Sequence, residues 1–460
     1  MFWFVPLAAA DPLDDAMPVG TATVAVRAPF ALTLQDALDR AARANPALLA
    51  AAVDVNGADA AFLAARARFE PLLTASTRYG ATAEEGVAPF GHFSAENEGW
   101  AADLALSQEL ATGTALSVRL ASRQDRYSAR LPDLGLRLDG DPWYGSSLSF
   151  TLAQRFLEGG RLSWNLQDVR TARGARSVAE AERQATRQEV LAGTATAWWA
   201  VAMQGEVLAV AEENIRMMAE LPAAADAARV RAERALHAAE ADLAAARDAL
   251  LLRLGEAPGT PVETVAPADA LPPSLDPDRV TEAVLQGNAE LVALRIRLDT
   301  LRRAAADAKH GLLPSLTGTA SYGVSGYDTS LARAYAEMGE LPAWSVGANL
   351  ALPLGNRADR GALGEAEAAA AKAELDLRAR EGELARDARA LTRVIADAAR
   401  DMELTAKGVR LAEATLVASA DTKDRIAAIE AVYAARVEAA RSRSAWRVAL
   451  VELLRLEGRL

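Results

Sequence analysis

Two patterns of apolar and polar positions divide this chain. Long alanine-rich stretches repeat their apolar residues at helical spacing, and shorter ones alternate apolar with polar residues. Alternation is clearest where Leu116, Val118 and Leu120 flank Ser117 and Arg119, where Leu148, Phe150 and Leu152 flank Ser149 and Thr151, and where Trp344, Val346, Ala348, Leu350 and Leu352 flank Ser345, Gly347 and Asn349. The first half offers four strands of about ten residues, Leu72–Thr82, Ala101–Leu110, Thr114–Arg123 and Gly145–Gln154, and "ELATGTAL" between the middle two reads as a tight hairpin. The helical pattern predicts Asn45 capping a helix with Pro46 in its first turn and running to Glu70. It then predicts a helix of about 60 residues over Arg161–Glu220, stopped at Pro222, and a return over Asp226–Leu254. The second half predicts helices over Asn288–Leu313, Arg360–Ala420 and Asp424–Glu457.

The halves share a register. Setting Asn45 against Asn288, an offset of 243, brings Leu48 to Leu291, Pro71 to Pro314, Leu73 to Leu316, Thr74 to Thr317 and Tyr79 to Tyr322 without a gap. We therefore divide the chain into an N-terminal extension over 1–30, a first repeat over 31–254 and a second over 280–460. The first repeat holds strands over about 72–155 and a helical hairpin over 161–254; the second holds strands over about 314–354 and a hairpin over 360–457. Between the repeats, residues 255–279 form a proline-rich linker without periodicity. Helix passes directly into strand at Pro71 and again at Pro314. Each proline withholds a backbone donor and pushes the preceding residue toward extended geometry, so both are expected to end their helices.

Composition narrows the function classes. Half the residues are apolar, much of that alanine, which favours long helices in close contact. A net charge of -12 argues against a nucleic-acid partner, which needs a basic stripe for phosphate contacts. With no cysteine there are no disulfides, thiol nucleophiles or N-terminal lipid anchor on cysteine. The opening "MFWFVPLAAADPLDD" has an apolar run followed by Ala8 and Ala10 in A-x-A spacing, a partial signal peptide without its basic region; a disordered apolar tail is the alternative. Val190–Ala211 is apolar enough to raise the question of a membrane helix, but Gln204 and Glu206 interrupt it within a longer amphipathic pattern, and a buried seam is the reading.

Ten residues is the length at which a tilted strand crosses a bilayer. Aromatic rings near the strand ends, Tyr79, Trp100, Tyr127, Trp143, Tyr144, Tyr322, Tyr327 and Trp344, are candidates for the girdles of a membrane barrel, although alternation alone also fits a soluble sandwich. Helix lengths add to this. The short helices of each half, laid end to end, match the long one, and a helix of about 60 residues spans roughly 90 Å, far more than a compact domain needs.

"LTLQDALDRAARANPALLAAA", "AARARFEPLLTASTRYG", its echo "LLPSLTGTASYG" and "LALPLGNRADRGALGEAEAAAAKAELDL" together resemble the TolC-like outer-membrane efflux protein family. The resemblance implies a mixed α/β membrane protein built from two tandem repeats. Three identical chains would close one outer-membrane β-barrel continuous with a long periplasmic α-helical barrel. It further implies a passive exit duct of a tripartite efflux or type I secretion system in a Gram-negative bacterium, partnered by a periplasmic adaptor, an inner-membrane pump and outer-membrane lipid. A periplasmic coiled-coil adaptor or scaffold is the alternative, and it would lack duplicated strand pairs. Two departures stand out. The family turn between long and returning helices carries a glycine that the adaptor engages, and neither "MMAELPAAADAARVRAER" nor "LAEATLVASADTKDRIAAIEA" has one. The family has two strands per half, and the first half here has four. The extra hairpin either joins the barrel wall, extends the barrel or folds over its mouth.

No catalytic chemistry is legible. His92, His237 and His310 lack partners at ligand spacing, no phosphate-loop lysine follows Gly159 and Gly160, and the resemblance implies neither cofactor nor metal. Trp198 and Trp199 read as core. Leu221, Pro222, Asp226, Asp421 and Asp424 fall at the periplasmic tips. There the aspartates either gather into an anionic ring or, the preferred reading, cap the returning helices.

Overall fold

The computed structural model describes residues 30–89, 91–222, 225–265 and 275–460. The expected signal segment and the middle of the linker lie outside the described residues. In chain order the elements are β1 (Phe30–Leu32), α1 (Leu34–Ala44), α2 (Pro46–Ala67), β2 (Leu72–Ala88), β3 (Gly91–Glu109), β4 (Thr114–Leu131), β5 (Leu136–Asp139), β6 (Trp143–Arg155), α3 (Leu162–Asn165), α4 (Gln167–Ala219), α5 (Asp226–Leu254), β7 (Val262–Thr264), α6 (Pro277–Gly287), α7 (Ala289–Gly311), β8 (Ser315–Asp328), α8 (Leu331–Ala336), β9 (Leu341–Ala351), α9 (Arg357–Ala418) and α10 (Thr422–Leu456). α1 and α6, α2 and α7, and β2 and β8 each start 243 residues apart.

The helices form a layer of four rods. α4, of 53 residues, has α5 and α2 along one side and α10 and α7 along the other; α9, of 62 residues, packs on the far side of α10 and α7. At about 1.5 Å per residue the two single-helix rods are about 80 and 93 Å long. The other two rods are composite, with 29 residues of α5 below 22 of α2, and 35 of α10 below 23 of α7. Each composite joint is an asparagine. Asn45 Oδ1 accepts from the Ala47 N–H and caps α2, while its Nδ2 donates to the Arg253 carbonyl at the end of α5. Asn288 caps α7 through Glu290 and Leu291 and donates to the Leu456 carbonyl at the end of α10. One side chain thus satisfies an orphan N–H of one helix and an orphan C=O of the next.

Burial concentrates at mid-length. Trp198 is fully buried, stacks edge-on against Trp199 at 4.7 Å and donates from Nε1 to the Leu32 carbonyl, locking β1 against α4. Arg447 lies 4.2 Å over the Trp199 ring. Val190, Leu191, Ala195, Val201, Val207 and Ala211 are buried along α4, so this apolar stretch is a seam between rods. A second cluster of Val280, Val284, Leu291, Leu384, Ile395 and Trp446 joins α6, α7, α9 and α10. α2 is the one described helix long and apolar enough to cross a membrane by length and composition; Leu49, Val53 and Leu63 stand exposed on it.

The strands form one antiparallel sheet in the order β2-β3-β4-β6-β8-β9, with β5 beside the outer part of β4. β2, β3 and β4 have 17, 19 and 18 residues where about ten were expected, because their outer parts keep pairing through polar residues that do not alternate. The described ends of the linker hold regular elements that its composition did not suggest: β7 lies within 255–279 and pairs in parallel with β1, and α6 starts at Pro277. The expected continuous helix from Arg161 is broken at Leu166, which separates α3 from α4.

Candidate functional site: two faces, two edges and two tips

Directly paired residues share a face of a sheet, so the register sorts the side chains. One row runs Leu73, Leu106, Val118, Phe150, Tyr322, Trp344, all apolar or aromatic. Its neighbours on that face are Gln108, Leu116, Leu152, Ala320, Val346 on one side and Ala75, Leu104, Leu120, Leu148, Val324, Pro342 on the other, Gln108 being the one polar residue among them. The opposite face carries Leu72, Ser107, Ser117, Thr151, Ser321, Ser345 in one row and Thr74, Ala105, Arg119, Ser149, Gly323, Ala343 in the next, polar or small apart from Leu72 at its edge and Arg119. One face is an apolar band and the other a wall of small polar side chains. On that wall Arg119 pairs with Asp103 at 2.7 Å, and Arg123 with Asp125 at 3.2 Å.

Register also places the eight aromatic candidates. Tyr79, Trp100 and Tyr144 share one row on the apolar face, three rows outward from the Tyr322 and Trp344 row. Tyr322 and Trp344 lie in the middle of the apolar band, not at its border. Tyr127, Trp143 and Tyr327 lie on the polar face, where Arg123 stacks 5.4 Å above the Tyr327 ring. Distance from a strand end is visible in sequence; facing depends on pairing. The short helix α8 covers the apolar face just inside the aromatic row, where Ser146 donates to the Ala334 carbonyl and Ser122 meets the Tyr335 hydroxyl.

At the helix-to-strand junctions each helix ends three to four residues before its proline, within reach of the ring's clash with the carbonyl four residues back, and a strand opens directly after the proline. α2 stops at Ala67 with Arg68 as its C-cap, and Phe69 and Glu70 turn before Pro71. α7 stops at Gly311, and the Pro314 carbonyl accepts from the Glu158 N–H. The last turns before the prolines tighten to N–H bonds three residues back. The β3–β4 turn rests on this junction. Gly113 takes φ +79, the left-handed conformation glycine allows, and Asn165, nearly buried, donates to the Ala111 and Gly159 carbonyls.

At the far end the two hairpin tips pack together. Leu221 is buried with Met218, Ala225, Ala228 and Ile429, beside Leu416 and Ile426. Arg229 ties the first turn, donating to the Met218 carbonyl at 3.2 Å, to the Leu221 carbonyl and to Asp226 at 2.8 Å; the Pro222 carbonyl accepts from Ala225. The preferred capping role of the aspartates is not realised by hydrogen bonds. Ala225 holds the cap position and Asp226 follows it; Asp421 occupies the cap of α10 without a side-chain bond, and Asp424 stands exposed in its first turn. Their remaining contribution is charge at a helix N-terminus.

Both layers stop at the same two sides. β2 continues from α2, and β9 leads into α9; β2 and β9 are the sheet edges, while α5 with α2 and α9 are the outermost rods. The outermost rods carry exposed apolar side chains: Leu49, Val53, Leu63, Val230 and Leu252 on one side, Leu375, Val394, Leu404, Leu411 and Val417 on the other. Every residue of β9 is exposed. This signal, apolar residues on helix faces that no neighbour covers, was not drawn from the sequence.

Among the described residues no group of three potential metal ligands is present. His92 faces Asp133, His237 faces Glu240 and His310 faces Arg161. No protein-family model and no curated protein sequence matches the chain. Solved structures share its fold. The Campylobacter jejuni CmeC outer membrane channel matches with a TM-score of 0.60 at 14% identity, over 93% of this chain and 85% of its own. The outer membrane protein VceC of Vibrio cholerae matches at 0.60 and 17%, over 92% and 96%. The open-state MtrE outer membrane channel of Neisseria gonorrhoeae matches at 0.60 and 16%, over 92% and 88%.

Proposed function

We propose that the chain is one arc of a passive outer-membrane duct, a homotrimer whose copies join β9 to β2 and α9 to α2 and α5. The observation that carries this reading is that sheet and helical layer end at the same two sides, with unpaired strand edges and uncovered apolar helix faces. In a bilayer no backbone group can be left unpaired, so an open six-stranded sheet with an apolar face requires closure. β2 and β9 run in opposite directions, so each junction between copies continues the antiparallel pattern. The count of three rests on the TolC-like resemblance, and the recurrence of elements at 243 residues supports an origin in two tandem repeats.

In this reading the apolar band and the Tyr79, Trp100 and Tyr144 row face outer-membrane lipid, with the rings at the interface. The polar wall lines water. The rods reach into the periplasm, and the hairpin tips meet a periplasmic adaptor coupled to an inner-membrane pump, in efflux or type I secretion. The protein is not an enzyme: it lowers no chemical barrier and provides a water-filled path, while the pump supplies the energy. Without tip glycines, an adaptor would engage the surface formed by Leu221, Pro222, Asp226, Asp421 and Asp424. Single cysteines placed in pairs along β2 and β9 test the closure. Oxidation should give covalent dimers and trimers from outer membranes; exclusively monomeric product with every pair would refute edge-to-edge assembly.

A further inference from the structure

We infer that the outer mouth of the duct carries a ring of guanidinium groups that favours anionic hydrophilic cargo. This rests on the duct reading and adds the charge of what leaves. The charges of the polar face fall in two groups. At the base, Arg155 and the neighbouring Arg68 are balanced by Glu109 and Asp168, with Arg68 at 2.9 Å from Glu109 and 3.7 Å from Asp168, and Arg155 at 3.3 Å from Glu109. Toward the outer end, four successive rows carry Arg119, then Asp103, then Arg78 with Arg123, then Asp125. All of these but Arg78 come from the β3–β4 hairpin. That hairpin belongs to the wall, since β3 pairs with β2 from Gly91 to Ser107 and β4 with β6 from Thr114 to Asp125.

Two of the three outer arginines are matched. Arg119 pairs with Asp103 at 2.7 Å; Arg123 lies 3.2 Å from Asp125 and also donates to the Tyr327 hydroxyl at 3.2 Å. Arg78 is exposed, and among the described residues no carboxylate pairs with it. Arg78, Ala101 and Arg123 share one row, so the two arginines stand about 10 Å apart, two strand spacings. Three copies place six guanidinium groups at one height, three of them uncompensated. Closure leaves them so. β9, which would come to lie beside Arg78, has no charged residue in any register. The loop ahead of β9 holds Glu337 and Glu340, but through Ala334 and Glu337 it rests on Gly326, on the apolar face. The next charge outward on the polar face, Glu84, is three rows away, about 20 Å along the strand and beyond a Debye length of about 8 Å in physiological salt. Arginine rings give water-filled pores an anion preference, and a local ring of this kind acts against the chain's overall charge of -12.

The zero-current potential of purified oligomers in a planar bilayer, under a potassium chloride gradient, reads this preference. Protein added to one chamber keeps its long hydrophilic rods on that side, so the barrel mouth faces the other. With about 0.1 M salt at the mouth the Debye length is about 10 Å, and with about 1 M at the rods it is about 3 Å, so charges at the mouth dominate. The control is Arg126→Gln, which removes the same charge from an exposed arginine on the opposite face of β4. The expected result is a wild-type potential of chloride sign, a shift toward potassium in Arg78→Gln, and no shift in Arg126→Gln, with oligomers of equal size by gel. An Arg78→Gln potential equal to wild type would overturn the ring and leave the duct standing. So would an equal shift in Arg126→Gln, which would trace the effect to charge outside the bore. Oligomers that pass no current would remove the duct reading, and the inference with it.

Discussion

The inner rods and the outer rods of the helical layer are built from similar alanine-rich sequence, yet they treat apolar residues differently. α4 and α10 bury theirs: Trp198, Val201, Met218, Ile429, Val432 and Trp446 are all covered. α2, α5 and α9 leave leucines and valines exposed, Val417 at 88% and Leu411 at 70% among them. An outer rod in a complete protein would carry polar residues there, since large exposed apolar patches mark interaction surfaces. The difference marks the outer rods, and not the inner ones, as the surfaces through which the proposed closure would run.

Breaking the outer side should have the largest effect on assembly. Leu404→Asp with Leu411→Asp places two charges on the α9 face. If that face is buried between copies, the unpaired charges cost several kcal/mol and the oligomer dissociates, with helix content by circular dichroism unchanged. Unaltered oligomer mass would mean the face is not an interface. Breaking the inner side should instead unfold the chain itself. Trp198→Ala removes a fully buried ring and one of the two hydrogen bonds to the Leu32 carbonyl, leaving that from the Val265 N–H, and costs about 3–5 kcal/mol in denaturant unfolding.

A smaller effect sharpens the comparison between halves. Asn45→Ala and Asn288→Ala each remove a cap and a bond to the preceding rod, about 1–2 kcal/mol apiece, and similar losses in thermal melts would show the two joints to be equivalent. The smallest effect is electrostatic. A hydrogen bond from Arg302, then the charge of Arg378, holds the Glu374 carboxyl below its ordinary pKa. Its contribution is present above the unfolded pKa and lost as pH falls through the lowered folded value. Glu374→Gln should slightly lower the melting temperature at neutral pH, with the difference closing in acid.

What was legible in the sequence was what depends on local pattern. Asn45 and Pro46 announce a helix start, the "ATG" after Leu110 a hairpin, and the shared register of Asn45 with Asn288 a recurrence that the elements keep. What was not legible depends on partners distant in the chain. The facing of Tyr127, Trp143 and Tyr327 follows from strand pairing, across 182 residues for Gly145 with Tyr327, so counting from strand ends misplaced them. The outer halves of β2, β3 and β4 alternate poorly because neither face there forms an apolar band, and pairing alone keeps them extended. β1 and β7 are three residues each, too short for any period to show, and β1 is fixed by the Trp198 bond. At the tips, Asp226 looked like a cap because its type and position fit one; Arg229, one turn on, takes its carboxylate instead.

The central claim is that identical copies close both layers at the same two sides. Electron cryo-microscopy of the protein extracted from outer membranes into lipid nanodiscs measures this directly. The account predicts a threefold cylinder in which β9 of one copy pairs with β2 of the next and α9 lies against the next copy's α2 and α5. Particles holding a single chain, or an assembly in which β2 and β9 remain unpaired, would contradict it.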